Sequence, residues 1–276
     1  MDLNLSNHIE RIIRNRPFCK DILKYYAELL SVMEFEEPDL GDIGMMEKRL
    51  KSTELEGGFP LFSRNELPVD SESGERLLMR FLERLLNSEE EENQRIDKAV
   101  QIFRQDRTLL RDVFKAVLDV DQKKLAGISN LMNLEPEQLY FIAKTALKPS
   151  LNALRAVFAH ELDKIAWRQG YCPLCGSEPD MAYLDGTGKR HLHCELCGEE
   201  WPYPRLSCPF CQNDDQNTLG YFCCDTEEGF RVDFCRKCMR YIKTIDRRSF
   251  DSDTPMDLEY LATLHLDMIA HKEGFK

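Results

Sequence analysis

Apolar residues recur at spacings of three and four along the first 168 or so positions, the mark of helices that bury one face. Ile22, Leu23, Tyr26, Leu29, Leu30 and Met33 form one such stripe behind Pro17. That proline suits a first helical turn, where its missing N–H would be unpaired anyway. Leu77, Leu78, Phe81, Leu82, Leu85 and Leu86 form a second stripe. Val100, Phe103, Leu110, Val113, Phe114, Val117 and Leu118 extend the pattern, Leu139 and Ile142 resume it, and Leu151, Leu154, Val157, Phe158, Leu162 and Ile165 follow Pro149. Five or six amphipathic helices are predicted, enough for an independently folded bundle over residues 1–168. The stretch "EEPDLGDIGMMEKRLKSTELEGGFPLFSRNELPVDSESG", with two proline-bearing turns and Gly57-Gly58, reads as a long surface connection with room for one short helix. The acidic run Glu89 to Glu92 reads as a solvated helix junction.

At Gly170, placed to stop the preceding helix in a left-handed cap, the period changes. Beyond it short strand-like runs alternate with turn residues. "DGTG" at 185 to 188 signals a hairpin turn before "KRHLHC", and "EEG" at 227 to 229 precedes "FRVDFC", which alternates like a strand. "YCPLCG" and "LSCPFC" are each followed by a hairpin and a second C-x-x-C, so residues 169–206 and 207–250 form an internal repeat. Residues 251–276 return to helix, with Thr254 placed to cap, Pro255 in the first turn and Asp257 three residues after the cap. Leu258, Leu261, Leu264 and Met268 lie three and four apart along it. A lone helix of that length is marginal in water, so this one is expected to dock. The predicted fold class is α+β: an N-terminal all-helical domain, two tandem rubredoxin-like or zinc-ribbon modules, and a C-terminal helix.

The cysteines give the repeat its chemistry. There are eleven, an odd count; ten fall between 172 and 238, and eight of those ten sit in C-x-x-C pairs, a metal pattern more than a disulfide ladder. Cys172-x2-Cys175 is followed after 18 residues by Cys194-x2-Cys197, and Cys208-x2-Cys211 after 23 by Cys235-x2-Cys238. A C-x-x-C turn aims both sulfurs at one point, and two such knuckles supply the four thiolates of a tetrahedral site. Sequential pairing is preferred to a cross-brace, because each hairpin lies between its own two knuckles and closes at little entropic cost. Two metal ions per chain are expected, each ribbon folding around its own, and four thiolates suit zinc or iron alike.

Three cysteines remain. Cys19 reads as a small buried hydrophobe on a helix. Cys223 and Cys224 are adjacent, so in a strand they point to opposite faces; sulfur handling there is the minor reading. His191 and His193 share one strand face beside Cys194, but four thiolates already complete that site.

Net charge and known motifs remove other classes. A charge of −12 and a sequence pI near 5.1 give no global positive field to gather phosphates, which disfavours nucleic acid as a partner. "MDLNLSNHIERIIRNRPF" lacks the apolar core of a secretory leader, and no apolar run approaches the ~18–20 residues that span a bilayer. Export and membrane insertion are not expected, and a reducing cytoplasm fits the thiols. No G-x-S-x-G, P-loop, H-E-x-x-H or G-x-G-x-x-G is present, so the usual enzyme motifs are missing.

With these residues in hand, the chain resembles the FdhE family of formate dehydrogenase accessory proteins. The resemblance is carried by "YCPLCGSEP", by "RHLHCELCGEEW" with "RLSC" after it, by "FCRKCMRYIKTID", and by "DLEYLATLHLDMIAHKEGF". The helical part is similar more loosely, through its length and through "GFPLF" and "LPVD". The resemblance implies a helical domain before two rubredoxin-like modules, with metal at Cys172, Cys175, Cys194, Cys197, Cys208, Cys211, Cys235 and Cys238. It also implies a non-catalytic role in the cytoplasm, in which the chain binds the catalytic subunit of a molybdenum- or tungsten-dependent formate dehydrogenase during its maturation, before export where that enzyme is exported. Trp201, Tyr203 and Arg205, in a segment held extended by Pro202 and Pro204, are the expected contacts with that subunit, since aromatic and arginine side chains recur at interface hot spots. The competing expectation is that Trp201 and Tyr203 close the first ribbon's core. A rubredoxin-like electron-transfer protein using iron is the alternative function.

Overall fold

The computed structural model describes residues 3–33, 36–42, 55–85, 90–223, 227–249 and 253–276. Among them are nine α-helices and six strands: α1 (Leu3–Asn15), α2 (Lys20–Met33), α3 (Ser71–Leu85), α4 (Glu90–Gln105), α5 (Thr108–Leu118), α6 (Gln122–Met132), α7 (Pro136–Leu162), β1 (Pro179–Leu184), β2 (Arg190–Cys194), β3 (Glu200–Pro202), β4 (Leu219–Cys223), β5 (Phe230–Cys235), β6 (Arg240–Asp246), α8 (Met256–Ala262) and α9 (Leu264–Lys272). The α+β class therefore holds. Leu86, Glu89 and Cys224 lie outside the described residues.

The described residues divide into two compact units, and the cut differs from the change of sequence period at Gly170. One unit gathers 25–33, 36–42, 63–85 and 90–157, the other 3–24, 55–62, 158–223, 227–249 and 253–276.

In the first unit the apolar stripes meet as their spacing predicts. Leu29, Leu77, Leu78, Phe81, Leu82, Phe103, Val113, Val117, Leu139, Leu147 and Leu151 are buried. Asp70 starts α3: one carboxylate oxygen accepts the backbone N–H of Ser73 at 3.0 Å and the other that of Asp39 at 3.0 Å, satisfying donors that a helix start leaves open. The pattern that runs from Val100 to Leu118 breaks into α4 and α5. Pro149, which precedes the last apolar stripe, lies inside α7. A helix-interior proline costs about 3 kcal/mol through a lost hydrogen bond and a ring clash, and here Leu147, Leu151 and Leu154, all at 0% exposure, hold the helix together around it.

The second unit is built on one sheet, in the order β3-β2-β1-β6-β5-β4. Each ribbon supplies three antiparallel strands, and the ribbons join where β1 runs parallel to β6, Met181 opposite Lys243 and Leu184 opposite Asp246. The two modules are thus halves of one sheet. The "DGTG" hairpin forms as read, with Gly188 at φ +81 and the Asp185 carboxylate accepting the backbone N–H groups of Thr187 and Lys189.

The C-terminal segment docks on the sheet as two helices. Met256, Leu266 and Ala270 pack into a core with Met181, Tyr183, Phe230, Val232 and Ile245. The break falls at Thr263, whose hydroxyl donates back to the Glu259 carbonyl at 2.7 Å, a bond that competes with the helix ladder. Lys243, fully buried on β6, takes up what the break frees: its ammonium donates to the Tyr260 carbonyl at 3.1 Å, the Thr263 carbonyl at 3.5 Å and the Asp267 carboxylate at 2.7 Å. Thr254 lies two residues before α8. Its hydroxyl accepts from Arg11 of α1 at 2.6 Å, while buried Arg16, at the end of α1, pairs with Glu259 at 2.9 Å and lies over the Phe230 ring. These bonds place α1 in the sheet unit.

Gly170 does something other than capping a helix. α7 ends at Leu162, and Gly170 lies where an added Cβ would sit 1.8 Å from the carbonyl oxygen of Pro209. The approach to the first knuckle passes directly against the backbone of the third. Gly170→Ala is expected to cost about 1–3 kcal/mol, because backbone must move to relieve the overlap; chemical denaturation of metal-loaded protein checks this, and an unchanged midpoint would contradict the close approach.

Candidate metal centres

All four C-x-x-C turns share one local construction. In each, the residue after the second cysteine donates its N–H to the carbonyl of the first: Gly176 to Cys172 at 3.0 Å, Gly198 to Cys194 at 3.1 Å, Gln212 to Cys208 at 2.9 Å and Met239 to Cys235 at 2.8 Å. The donors have left-handed backbones, with φ of 72, 72, 57 and 59 degrees. This geometry turns both sulfurs of a pair inward. The first ribbon supplies it with glycine, the second with Gln212 and Met239, whose Cβ makes the conformation costly. Gln212→Gly is accordingly expected to stabilise the second ribbon by about 0.5–1 kcal/mol, and Gly176→Ala, which adds left-handed strain and a 3.1 Å approach to Pro60, to destabilise the first. Equilibrium unfolding of the two variants with metal bound would expose an error in either sign.

The eight cysteines converge in sequential order into two groups, Cys172, Cys175, Cys194 and Cys197 in one and Cys208, Cys211, Cys235 and Cys238 in the other, with the sulfurs of each group within 4.8 Å of one another. Cys172 and Cys197 sulfurs are 3.5 Å apart and those of Cys175 and Cys194 3.4 Å. In the second group Cys208 to Cys238 is 3.7 Å and Cys211 to Cys235 3.8 Å. Bonds of about 2.3 Å to a common tetrahedral ion set sulfurs about 3.8 Å apart, so both groups fit one ion each, and all eight are free thiols rather than disulfides. Burial pushes the Cys172 and Cys197 thiols well up; Cys175, equally buried, is drawn down by hydrogen bonds from its three neighbours and Ser177. A cation held by the four sulfurs would deprotonate each ligand.

The groups differ in cover. In the first, Cys172, Cys175 and Cys194 are 0% exposed and Cys197 3%. Part of its cover comes from "GFPLF", expected in a surface connection: Leu61 and Phe62 donate their N–H groups to the Pro173 and Leu174 carbonyls at 2.8 and 2.9 Å, and Tyr171 donates its hydroxyl to the Gly58 carbonyl at 2.6 Å. Phe62 is buried against Phe158. Nothing in the periodicity marked this segment, and its aromatics did not distinguish it either, since Phe62 is buried while Phe59 is 65% exposed. In the second group Cys211 and Cys238 are partly exposed, and Asn213 donates its side-chain amide toward Cys235 at 3.6 Å.

The remaining sequence candidates fall outside both groups. His193 is buried on Asp180 at 2.7 Å, which, against the opposing effect of burial, raises its pKa to about 9. His191 stacks on Tyr183 and faces Asp185 at 3.2 Å. Cys19 is buried, its thiol donating to the Arg16 carbonyl at 2.9 Å, and Cys223 is exposed on β4.

Trp201 and Tyr203 require a correction, because neither is presented to a partner. Trp201, 1% exposed, donates its indole N–H to the Gln169 carbonyl at 3.1 Å. Tyr203, 6% exposed, packs under the Arg190 guanidinium and donates to the Cys208 carbonyl at 3.1 Å. Trp201 is thereby tied to the approach to the first knuckle and Tyr203 to the start of the second ribbon, where burying a large ring with its polar atom satisfied gains more than exposing it. Of the three, Arg205 alone is exposed.

Comparison with known proteins bears on the same region. The model for the family "FdhE, central domain" matches residues 171–205, which hold the whole first group. An FdhE homolog from Aquifex aeolicus is 34% identical over 148 residues, 51% of this chain and 50% of that protein. One from Pectobacterium carotovorum is 26% identical over 204 residues, 64% of this chain and 65% of that one. The matched part thus spans about half the length of the Aquifex relative. The crystal structure of the FdhE protein from Pseudomonas aeruginosa superposes over 99% of this chain and 92% of that chain with a TM-score of 0.63 at 20% identity, a likeness of fold. Knuckle spacing, paired four-thiol groups, alignments and fold all point one way: the chain is similar to FdhE proteins, in sequence through the central domain and its surroundings and in fold over nearly its whole length.

Proposed function

We propose that this protein is a non-catalytic accessory factor in formate dehydrogenase maturation, binding the enzyme's catalytic subunit in the cytoplasm before any export. The observation that carries the reading is that eight paired thiols are gathered into two sets of four at ligand spacing. The groups best suited to nucleophilic chemistry are thereby committed to holding structure. In this reading each set binds one ion, zinc or iron, and the ion cross-links strands that carry a partner surface. No described helix is long and apolar enough to cross a membrane. With Trp201 and Tyr203 buried, the client contact in the ribbon junction is assigned to exposed Arg205 and its neighbour Leu206, 58% exposed.

Affinity capture from native cells without oxygen, with metal analysis of the same sample, tests the proposal. The expected result is a formate dehydrogenase catalytic subunit bound to a chain holding two ions, and weaker capture by an Arg205→Ala, Leu206→Ala double variant that keeps both. If wild-type protein retains no such subunit, the maturation reading falls and electron transfer through iron takes its place.

A further inference from the structure

The two centres differ in a way that bears on what their metals can do. Ligand exchange at a four-thiolate site requires an incoming donor atom to reach bonding distance, about 2.3 Å for sulfur, of the ion. At the first group the four thiols are at most 3% exposed. The Leu61 and Phe62 backbone bonds hold a segment across that knuckle, with Pro60 against Gly176. Entry there requires a local opening that breaks these bonds and uncovers Phe62.

Among the described residues the second group has no such barrier. Cys211 and Cys238 are partly exposed, and Cys208 and Cys235 line a groove of about 480 Å³. The groove wall is cationic in a chain of net charge −12. It carries Arg190, Arg205, Arg231 and Arg240. Arg231 pairs with Asp233 and Arg240 with Glu178. Arg205 is exposed and has no ion pair among the described residues. Arg190, 4% exposed, donates to the Pro204 and Ser207 carbonyls and keeps an Nε without a partner. A buried guanidinium with an open donor and no paired carboxylate is an unmet demand for an anion.

We propose that the second four-cysteine centre is the exchangeable one, its metal reached through this groove by anionic metal-binding groups, while the first centre is closed and structural. In the exchange step the incoming donor forms a bond to the ion as the bond to Cys211 or Cys238 breaks. The departing thiolate keeps its electron pair and takes a proton from water, and no oxidation state changes. The inference rests on each group holding an ion, and it needs no client protein.

The experiment follows zinc leaving fully loaded protein by native mass spectrometry, with ethylenediaminetetraacetate as an anionic chelator and tetrakis(2-pyridylmethyl)ethylenediamine as a neutral one. One ion should leave at least ~10-fold faster than the other, the difference set by the opening the closed site needs. Iodoacetamide footprinting of the wild-type protein should show Cys211 and Cys238 modified in step with the fast phase and Cys172 and Cys175 with the slow one, which assigns the phases without a variant that fails to fold. Phe62→Ala should speed the slow phase alone. Arg205→Glu should slow removal by the anionic chelator several-fold at low salt and leave the neutral one unchanged. A single rate for both ions, or a fast phase that tracks Cys172 and Cys175, overturns the assignment. Equal effects of Arg205→Glu on the two chelators overturn the anionic route, and protein that takes up no metal overturns the two-centre reading along with the inference.

Discussion

Cys172→Ser is expected to lose one metal ion and to unfold the sheet unit, with a loss approaching the ~10–16 kcal/mol that a structural four-ligand zinc site contributes. Cys172 is fully buried, its sulfur 3.5 Å from that of Cys197. A serine hydroxyl is a poor fourth ligand and leaves three thiols crowded without a common cation. The sequence read each ribbon as folding around its own ion, which would confine the damage to residues 169–206. The register of β1 on β6 argues otherwise, since Met181, Ala182, Tyr183 and Leu184 each pair with a β6 residue. Loss of β1 therefore bares a full edge of the second ribbon. Hydrogen exchange resolved by residue, alongside metal analysis, decides the matter: β6 amides should lose protection together with β1. A variant that keeps two ions, or loses one with β6 still protected, would show that the halves of the sheet are energetically separate.

Lys243→Met should release the C-terminal helices from the sheet at a cost of about 3 kcal/mol, the lower end of the range for removing one partner of a buried ion pair. The lower end applies because the Asp267 side chain is 22% exposed and keeps a hydrogen bond from Tyr241 at 2.9 Å. Methionine fills most of the volume, so the cost comes from the carbonyls of Tyr260 and Thr263 and the Asp267 carboxylate losing their shared donor. Burial holds the Lys243 pKa below the usual lysine value, against the opposing pull of Asp267. The ammonium is kept by its three acceptors. Limited proteolysis should cut near residues 253–255 in the variant long before the wild type, and equal resistance of the two would sink the claim that Lys243 fastens the helices.

Part of this molecule is local in origin, and that part could be read from the chain. Spacing alone grouped the eight paired cysteines, because a C-x-x-C turn with a left-handed residue after it fixes two sulfurs within five residues, and a hairpin of 18 or 23 residues closes cheaply on its own knuckles. Stripes of three and four gave the helical region but only half of the docking face of the C-terminal segment: Leu258 and Leu261 are buried, whereas Leu264 and Met268 are exposed, because after the break at Thr263 it is Leu266 and Ala270 that face the sheet. They missed α1 and α6, overran the α4–α5 break, and did not show that α7 runs on through Pro149, where buried leucines on both sides hold it.

What only the tertiary structure decided depends on residues far apart in sequence. Pro209 requires a glycine at 170, Leu61 and Phe62 help to close the first metal centre through Pro173 and Leu174, and Lys243 fills the break at Thr263. Trp201 and Tyr203 turn inward for the same reason, since Gln169 and Cys208 offer their polar atoms acceptors that water would otherwise supply. A periodic pattern records which face of an element is apolar. It does not record which distant backbone will cover that face, and that choice is what leaves one centre closed and the other open.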